Sequence, residues 1–215
     1  MDIIYEDKQL LVVNKPSKLL TISDGKTDYT LYSMAYDYVK KQHKSNKIFI
    51  VHRLDKDTSG IVVFAKSERI KYYLQDNWNS IVKREYIAIL EGKLLSKKGI
   101  LKDYLYEDKN HFVHVSNKKQ GSLAITEYEV INYYKDYTVV KINILTGKKN
   151  QIRASLAYLG YPIIGDKKYG SKTKVNRLYL HAYKLSFKIN NKVYQFETKL
   201  PTEFRKFSNL LNNRF

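Results

Sequence analysis

Short runs rich in Ile, Val, Tyr and Phe recur along nearly the whole chain, and their brevity constrains the fold more than any other feature. They fall at residues 3–5, 10–14, 48–51, 61–65, 86–90, 112–115, 125–131, 138–145, 179–187 and 193–197. Runs this short, built from β-branched and aromatic side chains, fit strands better than helices. The alternation Lys141-Ile142-Asn143-Ile144, and that across 126–131, predicts strands with one wet face. Helical spacing predicts helices over 30–42 behind a Thr cap, 67–78 behind a Ser cap, 150–159 stopping at Gly160, and 202–211 starting after Pro201. Strands arrive in runs broken irregularly by helices, so we expect an α+β fold with a mostly antiparallel mixed sheet flanked by helices and loops. Pro occurs only at 16, 162 and 201, and neither a linker-like stretch nor a repeat is visible. Residues 1–215 therefore read as a single domain.

Composition excludes several classes. A hydrophobic fraction of 43% over 215 residues supports a real core and excludes a disordered chain. Cys is absent, which removes disulfides, Cys-based zinc sites and thiol catalysis, and fits a reducing compartment. No apolar stretch approaches the roughly 18 residues of a membrane span, and the N-terminus lacks the basic-then-apolar design of a secretion signal. We expect a cytoplasmic protein with no membrane partner.

The net charge is +18, from 39 Lys plus Arg against 21 Asp plus Glu. Abundant Lys, Asn, Ile and Tyr reflect a general compositional bias, so the distribution of charge is more telling than its sum. Residues 1–60 hold 10 basic and 8 acidic groups, whereas 135–177 hold 10 and 2, and 178–215 hold 7 and 2. The excess is concentrated in the C-terminal third. Such a field attracts polyanions, nucleic acid above all, and makes binding salt-dependent; an anionic membrane surface or a merely solvated lysine-rich face would explain the same charge.

Two segments gather chemically active groups. His52-Arg53-Leu54-Asp55-Lys56-Asp57-Thr58-Ser59-Gly60 lies between two β-runs, where a scaffold commonly presents reactive groups. From residue types alone it fits a reactive loop or an ordinary turn in which Asp57 and Thr58-Ser59-Gly60 supply the turn chemistry. In Thr146-Gly147-Lys148-Lys149-Asn150-Gln151-Ile152-Arg153 a strand ends and a helix begins among cations. It fits an anion-binding helix start or a capped helix with a solvated basic end. Lys83-Arg84-Glu85-Tyr86 opens a further strand, on which a Tyr is most often packing.

Taken together these segments resemble the RluA-type family of pseudouridine synthases. The family loop H-R-L-D-x-x-T-S-G is present letter for letter from His52 to Gly60. Asn14-Lys15-Pro16, Lys83-Arg84-Glu85-Tyr86, Thr146-Gly147 with Gln151-Ile152-Arg153, residues 160–166 with Tyr169-Gly170, and Leu180-His181-Ala182 follow in the family's order. The resemblance implies isomerisation of uridine to pseudouridine in structured RNA, tRNA or rRNA, with no cofactor and no metal. It implies Asp55 as the nucleophile or base on the ribose, Arg153 as the Arg paired with it, and Tyr86 lining the uracil site. Arg53 would enter the space left when the target base is flipped out. An Arg beside Asp55 would lower its pKa by about 1–3 units and keep it ionised.

The match begins almost at Met1, so the small N-terminal RNA-binding domain of many relatives is not expected. The grip on RNA would fall to the catalytic domain, for which Lys148, Lys149, Lys167, Lys168, Lys172, Lys174 and Arg177 are the candidates. A monomer without an obligate protein partner is the expectation. The chain departs from the family pattern T-G-R-x-H-Q-I-R-x-H at Lys148, Asn150 and Ser155, which bears on how Arg153 is positioned. Those departures motivate an alternative, an inactive RNA-binding or RNA-folding factor on the same fold. His52 and His181 are expected to be buried, hydrogen-bonded structural residues, and Asp57 and Asp166 to support turns.

Overall fold

The computed structural model describes residues 1–118, 120–205 and 207. The chain divides into two compact units, one formed by Met1–Val82 with Lys184–Thr198, the other by Lys83–Tyr183 with Lys199–Phe215.

The first unit is built on strands β1 (Asp2–Glu6), β2 (Leu10–Lys15), β3 (Phe49–Ile50) and β4 (Ser59–Ala65) with helices α1 (Leu31–Gln42) and α2 (Glu68–Ile81). In the β1–β2 hairpin the Asp7 carboxylate accepts the Gln9 and Leu10 amides, each at 2.8 Å, a local bond that makes Asp a turn residue. Strands β2 and β4 pair antiparallel with Leu10 opposite Ala65 and Lys15 opposite Gly60. β4 is buried along its whole length, which is why its sequence is continuously apolar instead of alternating. Thr30 and Ser33 form a reciprocal capping box at the start of α1, and Ser67 caps α2 by accepting the Ile70 amide. Leu10, Val12, Ile61, Val63, Ile70, Leu74, Phe187 and Phe196 share one apolar core.

The second unit contains β5 (Lys83–Glu91), β6 (Lys98–Glu107), β7 (Val113–Val115), β8 (Ser122–Tyr134) and β9 (Tyr137–Ile144). Their spatial order is β5-β9-β8-β6-β7, every neighbour antiparallel. Helix α3 (Gln151–Tyr158) follows β9, and a single 3-10 turn spans Lys167–Tyr169. Strand β10 (Leu180–Ile189) returns the chain from the second unit to the first, where its latter part pairs with β11 (Lys192–Glu197). Short α4 (Thr202–Arg205) buries Phe204 completely.

The α+β expectation and the antiparallel pairing agree with this architecture. Helices expected at 30–42, 67–78 and 150–159 appear within three residues of those bounds. Of the helix expected at 202–211, Thr202–Arg205 is helical, and residues 206 and 208–211 lie outside the described residues. β6 was not expected: its exposed, charge-rich face hides the alternation that marks a strand. Among the described residues no helix is long and apolar enough to cross a membrane.

Candidate active site

The loop from His52 to Thr58 leaves β3 and enters β4 in the first unit. Asp55 is half-buried and Arg53 exposed, while Leu54, Thr58 and Ser59 are buried. The Asp55 carbonyl accepts the Thr58 amide at 3.1 Å, closing a turn directly after the carboxylate. Contacts from residues 15–21 fix the rest of the loop backbone. Thr21 donates its hydroxyl to the Leu54 carbonyl at 2.8 Å and accepts the Leu54 amide at 3.2 Å. Ser17 donates to the Asp57 carbonyl at 2.6 Å.

Lys15 is wholly buried, and its ammonium donates to the carbonyls of Pro16 (3.0 Å), Leu19 (2.7 Å) and Lys56 (3.0 Å). The β2–β4 register opposes Lys15 to Gly60 at the loop's exit, so a cation at the end of β2 reaches the residue next to Asp55. A buried charge is tolerated only when hydrogen-bonded in this way. His52 belongs to the same scaffold. Its Nε2 accepts the Val63 amide at 3.1 Å and its ring stacks on Trp78 at 4.4 Å. An Nε2 that accepts carries no proton, so the ring is neutral with hydrogen on Nδ1.

Tyr86 and Arg153 lie in the second unit. Tyr86 is buried on β5 opposite Ile142 of β9. Two residues earlier on the same face, buried Arg84 donates from Nη2 to the Ile144 carbonyl at 3.2 Å, and burial pushes its pKa down. Arg153 stands in the first turn of α3 and is buried. Its Nε and Nη2 each donate at 2.7 Å to the two oxygens of Asp166, a bidentate pair. Nη1 donates to Asn150 Oδ1 at 3.0 Å, and the Tyr169 ring centroid lies 5.2 Å from the guanidinium carbon. The guanidinium is thus fixed in plane and direction within its own unit.

The local sequence explains that arrangement. Asn150 sits at φ +50°, a left-handed conformation that Asn adopts more readily than most residues. At a position where the family pattern has His, it supplies Arg153 with an acceptor. Gly165 has φ +79°, and a Cβ there would lie 2.0 Å from the Arg177 carbonyl oxygen, so only glycine can precede Asp166. Asp166 also accepts the Tyr169 amide at 3.3 Å, which starts the 3-10 turn and brings Tyr169 under Arg153. Burial raises the Tyr169 pKa against the opposing effect of Arg153. Gln151 anchors the start of α3: its Oε1 accepts from Thr146 and Lys148, and its Nε2 donates to Ile125 and Thr126.

Asp166 was expected only to support a turn. It does so, and it is also the carboxylate that orients Arg153; the residues 160–166 carried the signal, but not the partner. Lys15 was visible only as part of Asn14-Lys15-Pro16. His181 is buried as expected, edge-on to Phe204 at 6.2 Å, with its pKa pushed down to about 3 by burial and then by the charge of Arg177.

The cations proposed to grip RNA fall into three groups. Lys148, Lys167, Lys172 and Lys174 are exposed, and among the described residues no ion pair engages them. Exposed Lys149 pairs with Glu107, and exposed Lys168 donates to the His111 carbonyl at 3.0 Å. Arg177 differs: its side chain is only 11% exposed, it pairs with Glu203 at 3.6 Å, and it lies over Phe204. Among the described residues no group of three or more His, Asp or Glu side chains is placed to hold a metal ion.

The RNA pseudouridylate synthase family model matches residues 9–158, and the chain belongs to that family. It is 38% identical over 192 residues to the uncharacterized RNA pseudouridine synthase YhcT of Bacillus subtilis, covering 86% of this chain and 63% of the relative. It is 32% identical over 214 residues to ribosomal large subunit pseudouridine synthase D of Borreliella burgdorferi, covering 94% and 66%. Over 213 residues it is 32% identical to synthase C of Rickettsia bellii, covering 95% and 70%. The chain therefore spans just under two thirds of the length of the first two relatives. Among solved structures, human RNA pseudouridylate synthase domain containing 4 shares the fold, with a TM-score of 0.80 and 23% identity over 95% of this chain and 90% of the other.

Proposed function

We propose that this protein isomerises uridine to pseudouridine in structured RNA, with Asp55 acting on the ribose of the target nucleotide. The observation that carries the reading is the intact loop from His52 to Gly60, whose backbone is held by Lys15, Ser17 and Thr21 so that Asp55 is presented from a rigid turn. The names of its relatives favour ribosomal RNA of the large subunit as substrate; transfer RNA is the second source to test.

The reaction breaks the N-glycosidic bond, turns the detached uracil and joins its C5 to the same ribose C1′, so no net oxidation or hydrolysis occurs. Two routes use one carboxylate: attack of Asp55 on C1′, or removal of a C2′ proton to give a glycal. We assign Arg153 to stabilising negative charge in this chemistry, Tyr86 to contact with the uracil ring, and Arg53 to the space the extruded base leaves. Unpairing and unstacking that base costs a few kcal/mol, which side chain and phosphate contacts offset. Asn150 holding Arg153 supports catalysis over the alternative of an inactive RNA-folding factor.

The test is incubation of the purified protein with cellular rRNA and tRNA from a strain lacking the gene, followed by mapping of pseudouridine with a carbodiimide adduct that stops reverse transcription. Asp55→Asn should abolish new stops that the parent protein produces. Absence of new stops with both proteins on all RNA would refute the reading.

A further inference from the structure

Aromatic rings in the second unit form a ladder that leads from Arg153 to the surface. Arg153 lies over Tyr169 at 5.2 Å, Tyr169 is 4.7 Å from Phe112, Phe112 is 4.6 Å from His114, and His114 is 5.2 Å from Tyr106. The last two rings are direct cross-strand partners on β6 and β7 and stack within 21° of parallel. Exposure rises along the ladder, from buried Tyr169 to half-buried Phe112, a His114 side chain 38% exposed, and a Tyr106 44% exposed. Phe112 belongs to the apolar cluster of Leu105, Val113, Ala124, Ala154 and Tyr169; that core needs neither His114 nor Tyr106.

The hairpin presenting these rings is rigid. Asp108 accepts the amides of Asn110 and Phe112 at 2.9 and 2.8 Å and bonds His114 Nε2 at 2.8 Å. Two lysines from elsewhere in the unit reach the hairpin: Lys168 lies 5.3 Å above Phe112, and Lys149 pairs with Glu107, which also bonds His111. Of the two carboxylates at the hairpin tip, Glu107 is thus already paired with Lys149, and Asp108 is occupied by two amides and the His114 ring. Rings with preset orientation and flanking cations suit unpaired nucleic acid, whose bases stack on aromatic faces while lysines meet phosphates.

We propose that Tyr106 and His114, backed by Phe112, form a stacking platform for unpaired nucleotides that flank the target uridine, with Lys149 and Lys168 meeting their phosphates. That the flanked nucleotide is a target uridine rests on the proposed isomerase reading. Extruding a base strips stacking from its neighbours, and a ladder that begins at Arg153 offers replacement faces. RNA is favoured over a protein partner because Lys168 lies over Phe112 and Lys149 is held at Glu107, the residue next to Tyr106.

The test uses the full chain and a fluorescein-labelled single-stranded oligouridylate, with a second oligomer carrying one fluorescent aminopurine. The parent should bind both and quench the aminopurine through stacking. Tyr106→Leu, which keeps apolar bulk without a ring, should weaken binding about 5- to 150-fold and lose the quenching. Tyr106→Phe should restore both, and the salt slope of Tyr106→Leu should match the parent. Parent-like binding by Tyr106→Leu would overturn the platform, as would failure of Tyr106→Phe or an oligomer that the parent does not bind. Binding is read without modification. An inactive parent that still binds through Tyr106 removes only the isomerase reading, whereas an active parent indifferent to Tyr106→Leu removes only the platform.

Discussion

Asp166 and His181 show what burial does to a single ionisable residue. Asp166 is 2% exposed and meets Arg153 with two bonds of 2.7 Å; the pair is fixed because each charge has little water to fall back on. His181 is equally buried, and burial, with a further push from the Arg177 charge, lowers its pKa from 6.5 to about 3. The folded protein therefore keeps His181 neutral where the unfolded chain takes up a proton. Above pH 6.5 the residue adds no pH dependence. Below it, stability falls by up to about 1.4 kcal/mol per pH unit until pH nears 3. We predict that His181→Asn removes this share of the acid sensitivity. Urea unfolding of parent and variant at several pH values checks it: their difference in stability should shrink steadily below pH 6.5, and a constant difference would contradict the assignment.

At the scale of elements, the loop from His52 to Thr58 owes its shape to the end of β2 and the segment after it. Lys15 replaces the water its carbonyl partners would otherwise bind, so removing its charge leaves acceptors of Pro16, Leu19 and Lys56 unsatisfied at once. Lys15→Met, close in volume, should lower stability by about 2–5 kcal/mol and reduce kcat for pseudouridine formation while RNA affinity persists. Equal melting curves and equal turnover for parent and variant would show that the loop needs no such clamp. Helix α3 carries two departures from the family pattern with different local outcomes. Asn150 accepts from Arg153, whereas Ser155 buries a hydroxyl with no hydrogen-bond partner among the described residues, at a cost of about 1–3 kcal/mol.

For the whole molecule, charge is the property that counts. Of the net +18, the part after residue 134 contributes +13, as 17 basic minus 4 acidic groups. Exposed Lys148, Lys167, Lys172 and Lys174 carry part of that excess, while Arg177 is committed to Glu203 and Phe204. Replacing the four lysines by Ala should weaken RNA binding and flatten the plot of log affinity against log salt by up to about 3 units. Filter binding over a salt series measures this, and an unchanged slope would move the RNA face elsewhere.

Strand character, the caps of α1 and α2, the family and the residues of the His52–Gly60 loop were all legible in the sequence, because each depends on neighbours within a few positions. β6 was not, since its solvated charges mask the two-residue period. The sequence also named Asp55, Tyr86 and Arg153 without their surroundings. Only the tertiary structure decided that Asp166, thirteen residues away, orients Arg153, and that Lys15, forty-one residues from Lys56, holds the loop. The Lys15 bond to Lys56 follows from the register of β2 on β4, the Arg153–Asp166 pair from where the turn after Gly165 meets α3, and no local pattern encodes either.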